Sequence, residues 1–156
     1  MVAALELAAL LSVCAPSVHP ETMLRVVKHE SAMNPNAIGI NGGYRLSRQP
    51  QTKEQGIAMA EALVKAGFNI DIGYGQINIK TANRMGLTAA QLFEPCTNLN
   101  AAARVLTENY DGAAQKYGKG QRALNAALSQ YNTGNFNAGI ANGYVASIHR
   151  QSINFK

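Results

Sequence analysis

The stretch Met23-Leu24-Arg25-Val26-Val27-Lys28-His29-Glu30-Ser31 sets the tightest constraint on how this chain can fold. Met23, Val26, Val27 and Glu30 recur at i, i+3, i+4 and i+7, so the spacing predicts a helix with a carboxylate on its apolar stripe. Pro20 suits the first helical position and Glu21 adds favourable charge there, while Asn34-Pro35 stops the helix because the residue before a proline is driven out of the helical region. A glutamate turned toward a core, with no lysine or arginine on its stripe, loses hydration, and that loss raises a carboxyl pKa. The nearby helix carboxyl end pushes the same way. A carboxyl group kept protonated near neutral pH is what a general acid requires. Taken alone, the helix also admits a plainer reading, a helix-end glutamate that bends back to solvent or caps a loop. His29 is turned about 100° from Glu30, onto the polar face with Thr22 and Arg25, and is expected to be solvated.

The rest of the pattern is helical with one break. Val2 to Val13 reads as a structural helix of the mature chain; it lacks a basic leader, carries Glu6 in its middle and is too short to span a membrane. Thr52 and Gln55 predict a capping box for a helix to about Ala66, with Met59, Ala62 and Leu63 inward. Phe68, Ile70 and Ile72 alternate with Asn69 and Asp71, as a short strand does, and Asn41-Gly42-Gly43 marks a turn, so a small ribbon pairing this strand with residues near Tyr44 is expected. A short helix follows from Lys80 to Met85, and Thr88 with Gln91 caps a further turn. Cys96 to Tyr117 is the longest helix, with Leu99, Ala102, Ala103, Leu106 and Tyr110 on one face. A helix bearing Leu124, Ala127, Leu128 and Tyr131 comes next, and two short helices complete the chain through Ile148. The expected fold is mainly α, an α+β arrangement in which a helical domain carries a small β-hairpin beside a cleft. Residues 1–19 form a helical segment packed on a body of residues 20–156.

Composition narrows the partners. With 47% apolar and 15% charged residues in 156, the chain can bury a full core. A net charge of +5 favours an acidic polymer. No stretch concentrates Lys and Arg as a DNA-reading helix does and no RNA-binding aromatic motif occurs, so nucleic acid is disfavoured. His19, His29 and His149 lack ligand spacing, and Cys14 and Cys96 lack zinc spacing, so neither a metal nor a cofactor is expected. The two cysteines leave open a single bridge or two buried thiols, according to the redox compartment.

Four motifs occur in order: Glu30-Ser31 with Asn34-Pro35, Gly73-Tyr74-Gly75-Gln76-Ile77-Asn78, Gln130-Tyr131-Asn132-Thr133-Gly134, and Tyr144-Val145. Together they closely resemble the lysozyme-like lytic transglycosylases of the bacterial cell envelope. The insertion before Gly73 and the run Phe93-Glu94-Pro95-Cys96-Thr97-Asn98-Leu99 look most like the small transglycosylases of type IV secretion and conjugation machines. The chain departs from the family pattern at Tyr74-Gly75, Thr133 and Gly39.

The resemblance implies a peptidoglycan glycan strand as substrate, a periplasmic or envelope location after export, and a place beside a secretion apparatus with no stable membrane insertion. It implies Glu30 as the acid and then the base of a reaction that leaves a 1,6-anhydro end, with Tyr144 hydrogen-bonded to its carboxyl. Gln76, Asn78, Tyr131, Asn132 and Ser31 are the implied substrate contacts, and Tyr74 or Tyr44 would stack on sugar faces in a chain without tryptophan. An oxidising envelope favours a Cys14–Cys96 disulfide. No second acid lies within the motifs. Asp71 is the nearest, and its plainer reading is a solvated strand residue. The rival functions are a lysozyme-type hydrolase, which shares Glu30 but leaves reducing ends, and a non-catalytic peptidoglycan-binding assembly subunit.

Overall fold

A computed structural model describes residues 4–154. Helices α1 (Ala4–Cys14), α2 (Pro20–Ser31), α3 (Lys53–Lys65), α4 (Ile79–Arg84), α5 (Pro95–Tyr117), α6 (Gln121–Thr133), α7 (Ala138–Ala141) and α8 (Tyr144–Arg150) surround strands β1 (Ile38–Ile40), β2 (Ile70–Ile72) and β3 (Ile77–Asn78), and a 3-10 turn spans Ala90–Phe93. Val2, which the sequence assigns to α1, lies outside the described residues, as does its neighbour Ala3.

One hydrophobic core joins most of these elements, and α2 runs through it. Met23, Leu24, Val26 and Val27 have no exposed surface. Pro20 opens α2, the ring of His19 accepts from the Glu21 amide, and Ala32 ends the helix in the left-handed conformation, φ 52°. Helix α1 lays Leu7 and Leu11 into the same core, both fully buried, each contributing about 2 kcal/mol by area burial. The Cys14–Cys96 disulfide then ties the end of α1 to the start of α5.

The sheet is antiparallel with order β1-β2-β3. Its register pairs Ile38 with Ile72, Gly39 with Asp71, and Ile40 with Ile70, and then Asp71 with Asn78 and Ile72 with Ile77. Because side chains alternate across a strand, Ile38, Ile72 and Ile77 share the core face and Gly39, Asp71 and Asn78 share the other. The expected partner near Tyr44 is thus corrected. The strand pairs with Ile38–Ile40, whose short apolar run is too brief to signal a strand by periodicity, while Tyr44 lies outside the sheet with its ring edge-on to Phe68 at 5.0 Å.

Two further expectations on helix faces give way to packing. Ala62 is exposed; α3 buries Gly56 and Ala60 instead, since a Cβ at Gly56 would meet the Phe93 ring at 2.6 Å and only glycine lets the 3-10 turn approach this closely. Gln55 accepts from the amide of Gln51 where a strict capping box would use Thr52, although Thr52 caps the Gln55 amide as expected. His29 is half-buried, its ring edge-on to Tyr144 at 5.0 Å, because α8 folds back over the face of α2 that the sequence leaves to solvent.

Candidate active site

Glu30 sits in the last turn of α2, where the buried stripe emerges into a cleft of about 780 Å³. The cleft is lined from α2 by Glu30, from the sheet region by Asn41, Asn69, Asp71, Gln76 and Asn78, from α4 and α5 by Arg84, Arg104, Glu108 and Asn109, and from α6 by Gln130, Tyr131 and Asn132. Sequence distance gives no hint of this convergence; the packing of α2, the sheet, α4, α5 and α6 around one cleft produces it.

The Tyr144 hydroxyl donates to Glu30 Oε2 at 2.9 Å. Tyr144 begins α8 directly after Gly143, φ 88°, and its amide is capped by Asn142. Glycine at that left-handed position turns the chain sharply, which delivers the ring to α2, where His29 braces it. Desolvation pushes the Glu30 carboxyl up to about 7; the Tyr144 hydrogen bond pulls it down, and the negative charge of Asp71 pushes it up again. Burial together with the neighbouring Glu30 charge drives the hydroxyls of both Tyr144 and Tyr131 above the ordinary phenol range, so both remain donors. At neutral pH the site therefore holds a carboxyl near its midpoint, fixed by a neutral phenol. Such a group can give a proton and take one back.

The glycine motif forms the adjoining wall, and Asn98 holds it. Asn98 is fully buried; its Nδ2 donates to Ile72 O at 2.8 Å and Leu92 O at 2.9 Å, and its Oδ1 accepts from Gly75 N at 2.8 Å. Gly73 has φ 76°, and a Cβ there would lie 2.3 Å from Asn98 Nδ2, so this turn tolerates only glycine. Gln76, at φ 50°, donates to Ala37 O and Gly73 O, both at 3.1 Å. Tyr131 donates to Gly75 O at 2.5 Å and ties α6 to the same turn.

Of the residues singled out from the sequence, Glu30, Gln76, Asn78, Tyr131 and Asn132 line the cleft, and Tyr144 reaches it through Glu30. Ser31 does not reach it: the side chain is buried and its hydroxyl donates to Val27 O at 3.0 Å, closing the helix. Tyr74 is 1% exposed and cannot stack on a sugar; the turn at Gly73 sends it into the core. Tyr44, 58% exposed, retains a free face.

The residue the sequence reading undervalues is Asp71. It lines the cleft, with Oδ1 accepting from Asn78 Nδ2 at 2.8 Å and Oδ2 from Asn41 Nδ2 at 3.3 Å. Burial raises its pKa while these two bonds lower it. The alternation Ile70-Asp71-Ile72 already carried the signal, but which face of the sheet meets the cleft is fixed by α2 and α6, far away in sequence. Asn41, Asn69 and the α5 residues carry no local sequence signal for the same reason.

This helical body, with a three-stranded antiparallel sheet and a buried glutamate at its cleft, has the architecture of a lysozyme-like domain. Residues 12–154 match the family model for the transglycosylase SLT domain, and the chain belongs to that family. The type IV secretion system protein virB1 of Brucella suis biovar 1 (strain 1330) is 43% identical over 128 residues, which is 81% of this chain and 53% of that protein. The protein of the same name from Brucella abortus (strain 2308) matches to the same extent. Protein virB1 of Agrobacterium fabrum (strain C58) is 37% identical over 136 residues, 86% of this chain and 54% of the relative. The chain thus spans about half the length of the curated relatives it matches. No solved structure matches it significantly.

Proposed function

We propose that this chain is a peptidoglycan lytic transglycosylase that cleaves the β-1,4 bond between N-acetylmuramic acid and N-acetylglucosamine and leaves a 1,6-anhydro end. The observation that carries the reading is the Glu30 carboxyl, poised near 7 and held by Tyr144, at the head of a cleft long enough to be lined from six elements. Glu30 gives its proton to the glycosidic oxygen as the C1–O bond breaks. The acetamido oxygen of the same sugar closes on C1. The 6-hydroxyl then displaces it, and its proton returns to Glu30, so the acid is regenerated and no water is consumed. Gln76, Asn78, Tyr131 and Asn132 orient the glycan, while Tyr44, although exposed, is not among the residues that line the cleft.

The likeness to the Brucella protein named as a type IV secretion system protein supports a role in opening the cell wall for such an apparatus, in the periplasm. The net charge of +5 suits an anionic wall polymer, and the Cys14–Cys96 bridge suits an oxidising compartment. No helix among the described residues is long and apolar enough to cross a membrane.

Mass spectrometry of muropeptides released from purified peptidoglycan tests the reading. Anhydromuropeptides are expected from the wild type and are lost in Glu30→Gln, which keeps the shape of the side chain but cannot transfer the proton. Reducing ends would assign the chain to lysozyme-type hydrolysis. Binding without release would make it an assembly subunit.

A further inference from the structure

Asp71 occupies the middle of β2 between two fully buried isoleucines, so the pleat turns its carboxylate onto the opposite face, toward the cleft. Its cross-strand neighbours on that face are Gly39, which has no side chain to cover it, and Asn78. The orientation of the Asn78 amide is settled by its other bonds: Oδ1 accepts from Lys80 N at 3.0 Å as the cap of α4, and Nδ2 also donates to Asn69 Oδ1 at 3.0 Å. Asn78 therefore meets Asp71 as a donor, and Asn41 does so on the second oxygen. Burial raises the Asp71 pKa above its ordinary value, and these two donors, which favour the ionised form, limit the rise.

Resting on the transglycosylase reading, we propose that Asp71 is a second catalytic carboxylate of this site: it stays ionised and opposes the positive charge that develops at C1 and on the acetamido group, while Glu30 alone moves the proton. When the C1–O bond breaks, its electron pair leaves with the oxygen that Glu30 protonates. The acetamido oxygen bonds to C1 and spreads the positive charge over its N–C–O unit. Asp71 forms no covalent bond. It lowers the energy of this ion electrostatically, and the charge vanishes when the 6-hydroxyl oxygen takes C1 and its proton passes to Glu30. The two carboxyl groups are set apart by environment, Glu30 in an apolar stripe and Asp71 under two amides, the arrangement in which one acts as acid and the other as stabiliser. The charge of Asp71 also helps to keep Glu30 protonated.

The test compares Asp71→Asn and Asp71→Glu with the wild type on purified peptidoglycan, with melting temperature and retention on insoluble wall as controls. Asp71→Asn is expected to lose about 100-fold or more in turnover, the scale seen when one preorganised electrostatic partner of a transition state is removed, while melting and retention persist. Asp71→Glu, which restores the charge, is expected to recover part of that loss. By NMR titration the pKa of Glu30 falls in Asp71→Asn as the neighbouring charge is lost, and recovery of turnover in Asp71→Glu separates a catalytic charge from a merely structural side chain. Turnover within about threefold of wild type in Asp71→Asn overturns the proposal, whereas a wild type that releases no anhydro ends overturns the transglycosylase reading first.

If Asp71→Asn loses its fold, the exposed Asn41 carries the test. Asn41→Ala removes one donor, so the Asp71 pKa and with it the acid limb of the turnover profile should rise; an unmoved limb refutes the role. The titratable groups that share the cleft with Asp71 are Glu30 on α2 and Tyr131 on α6, with Arg84 on α4 and Arg104 and Glu108 on α5.

Discussion

The Tyr144 hydroxyl and the Glu30 carboxylate, 114 positions apart, are joined by a 2.9 Å hydrogen bond that closes the last helix onto the second. The bond favours the ionised carboxyl, so it restrains the rise that burial imposes. Tyr144→Phe is therefore expected to raise the Glu30 pKa above its present value of about 7 and to lower turnover chiefly through loss of orientation, with melting little changed. NMR titration of the carboxyl beside muropeptide release checks this; an unmoved titration with wild-type turnover would make Tyr144 an ordinary core tyrosine.

Turnover needs Glu30 protonated at the first step, so activity is expected to fall as pH rises through about 7. Stability follows the same group. In the folded chain its pKa is raised from 4.5, hence between about 4.5 and 7 the native state holds more protons than the unfolded one and stability declines as pH rises through that window. A shift of this size corresponds to at most about 3–4 kcal/mol. Glu30→Gln should accordingly melt higher than the wild type at pH 8 and near it at pH 4, which thermal unfolding at the two pH values reads directly.

Legibility varied with how local the cause was. The stripe of α2, the long face of α5 with Leu99, Ala102 and Leu106, and the caps at Thr52 and Asn34-Pro35 depend on neighbours within a few residues, and sequence periodicity carries them. Glu30 stands out for the same reason, as a charge at a stripe position. Asp71, Tyr74 and His29 depended on what packs over them. Asp71 alternates correctly, but α2 and α6 decide that its face is a cleft; Tyr74 turns inward because Gly73 adopts φ 76°; and His29 loses its solvent because α8 returns across α2.

The Cys14–Cys96 bridge closes a separation of 82 residues. On the chain-entropy model a loop of this size stabilises by about 4.5 kcal/mol. Since α1 also buries Leu7 and Leu11 in the shared core, the double Cys14→Ser and Cys96→Ser variant is expected to fold but to melt well below the oxidised wild type, and a reducing agent should lower the wild type toward it. Melting curves with and without reductant decide the matter; identical curves would remove the bridge as a source of stability.

Asn98 serves three backbone groups from a fully buried position. Asn98→Ala leaves Gly75 N, Ile72 O and Leu92 O without these partners, and each stranded buried group costs about 1–3 kcal/mol. A loss of roughly 3 kcal/mol or more is expected, with the turn at Gly73 released and turnover falling beyond what the stability loss explains. Urea unfolding and muropeptide release on the same preparation separate the two effects.

Gly39 lies across from Asp71 in the sheet, and a Cβ added there would come within 2.8 Å of Gln76 Oε1 but no closer than 3.9 Å to Asp71 Cβ. The crowded atom is the end of a side chain, so the backbone need not move and the fold should tolerate alanine. Replacing glycine in a strand also restricts the unfolded chain, worth about 0.4–1 kcal/mol in favour of folding. Gly39→Ala is thus expected to melt near the wild-type temperature, the gain in unfolded-chain entropy being offset where the displaced Gln76 amide gives up its bonds to Ala37 O and Gly73 O. If Gln76 holds the glycan, kcat/KM on purified peptidoglycan falls several-fold through KM, with the Glu30 titration unchanged because neither partner touches its carboxyl. Unaltered kinetics in a well-folded Gly39→Ala protein would mean that the Gln76 amide serves only its bonds to Ala37 and Gly73 and makes no contact with substrate.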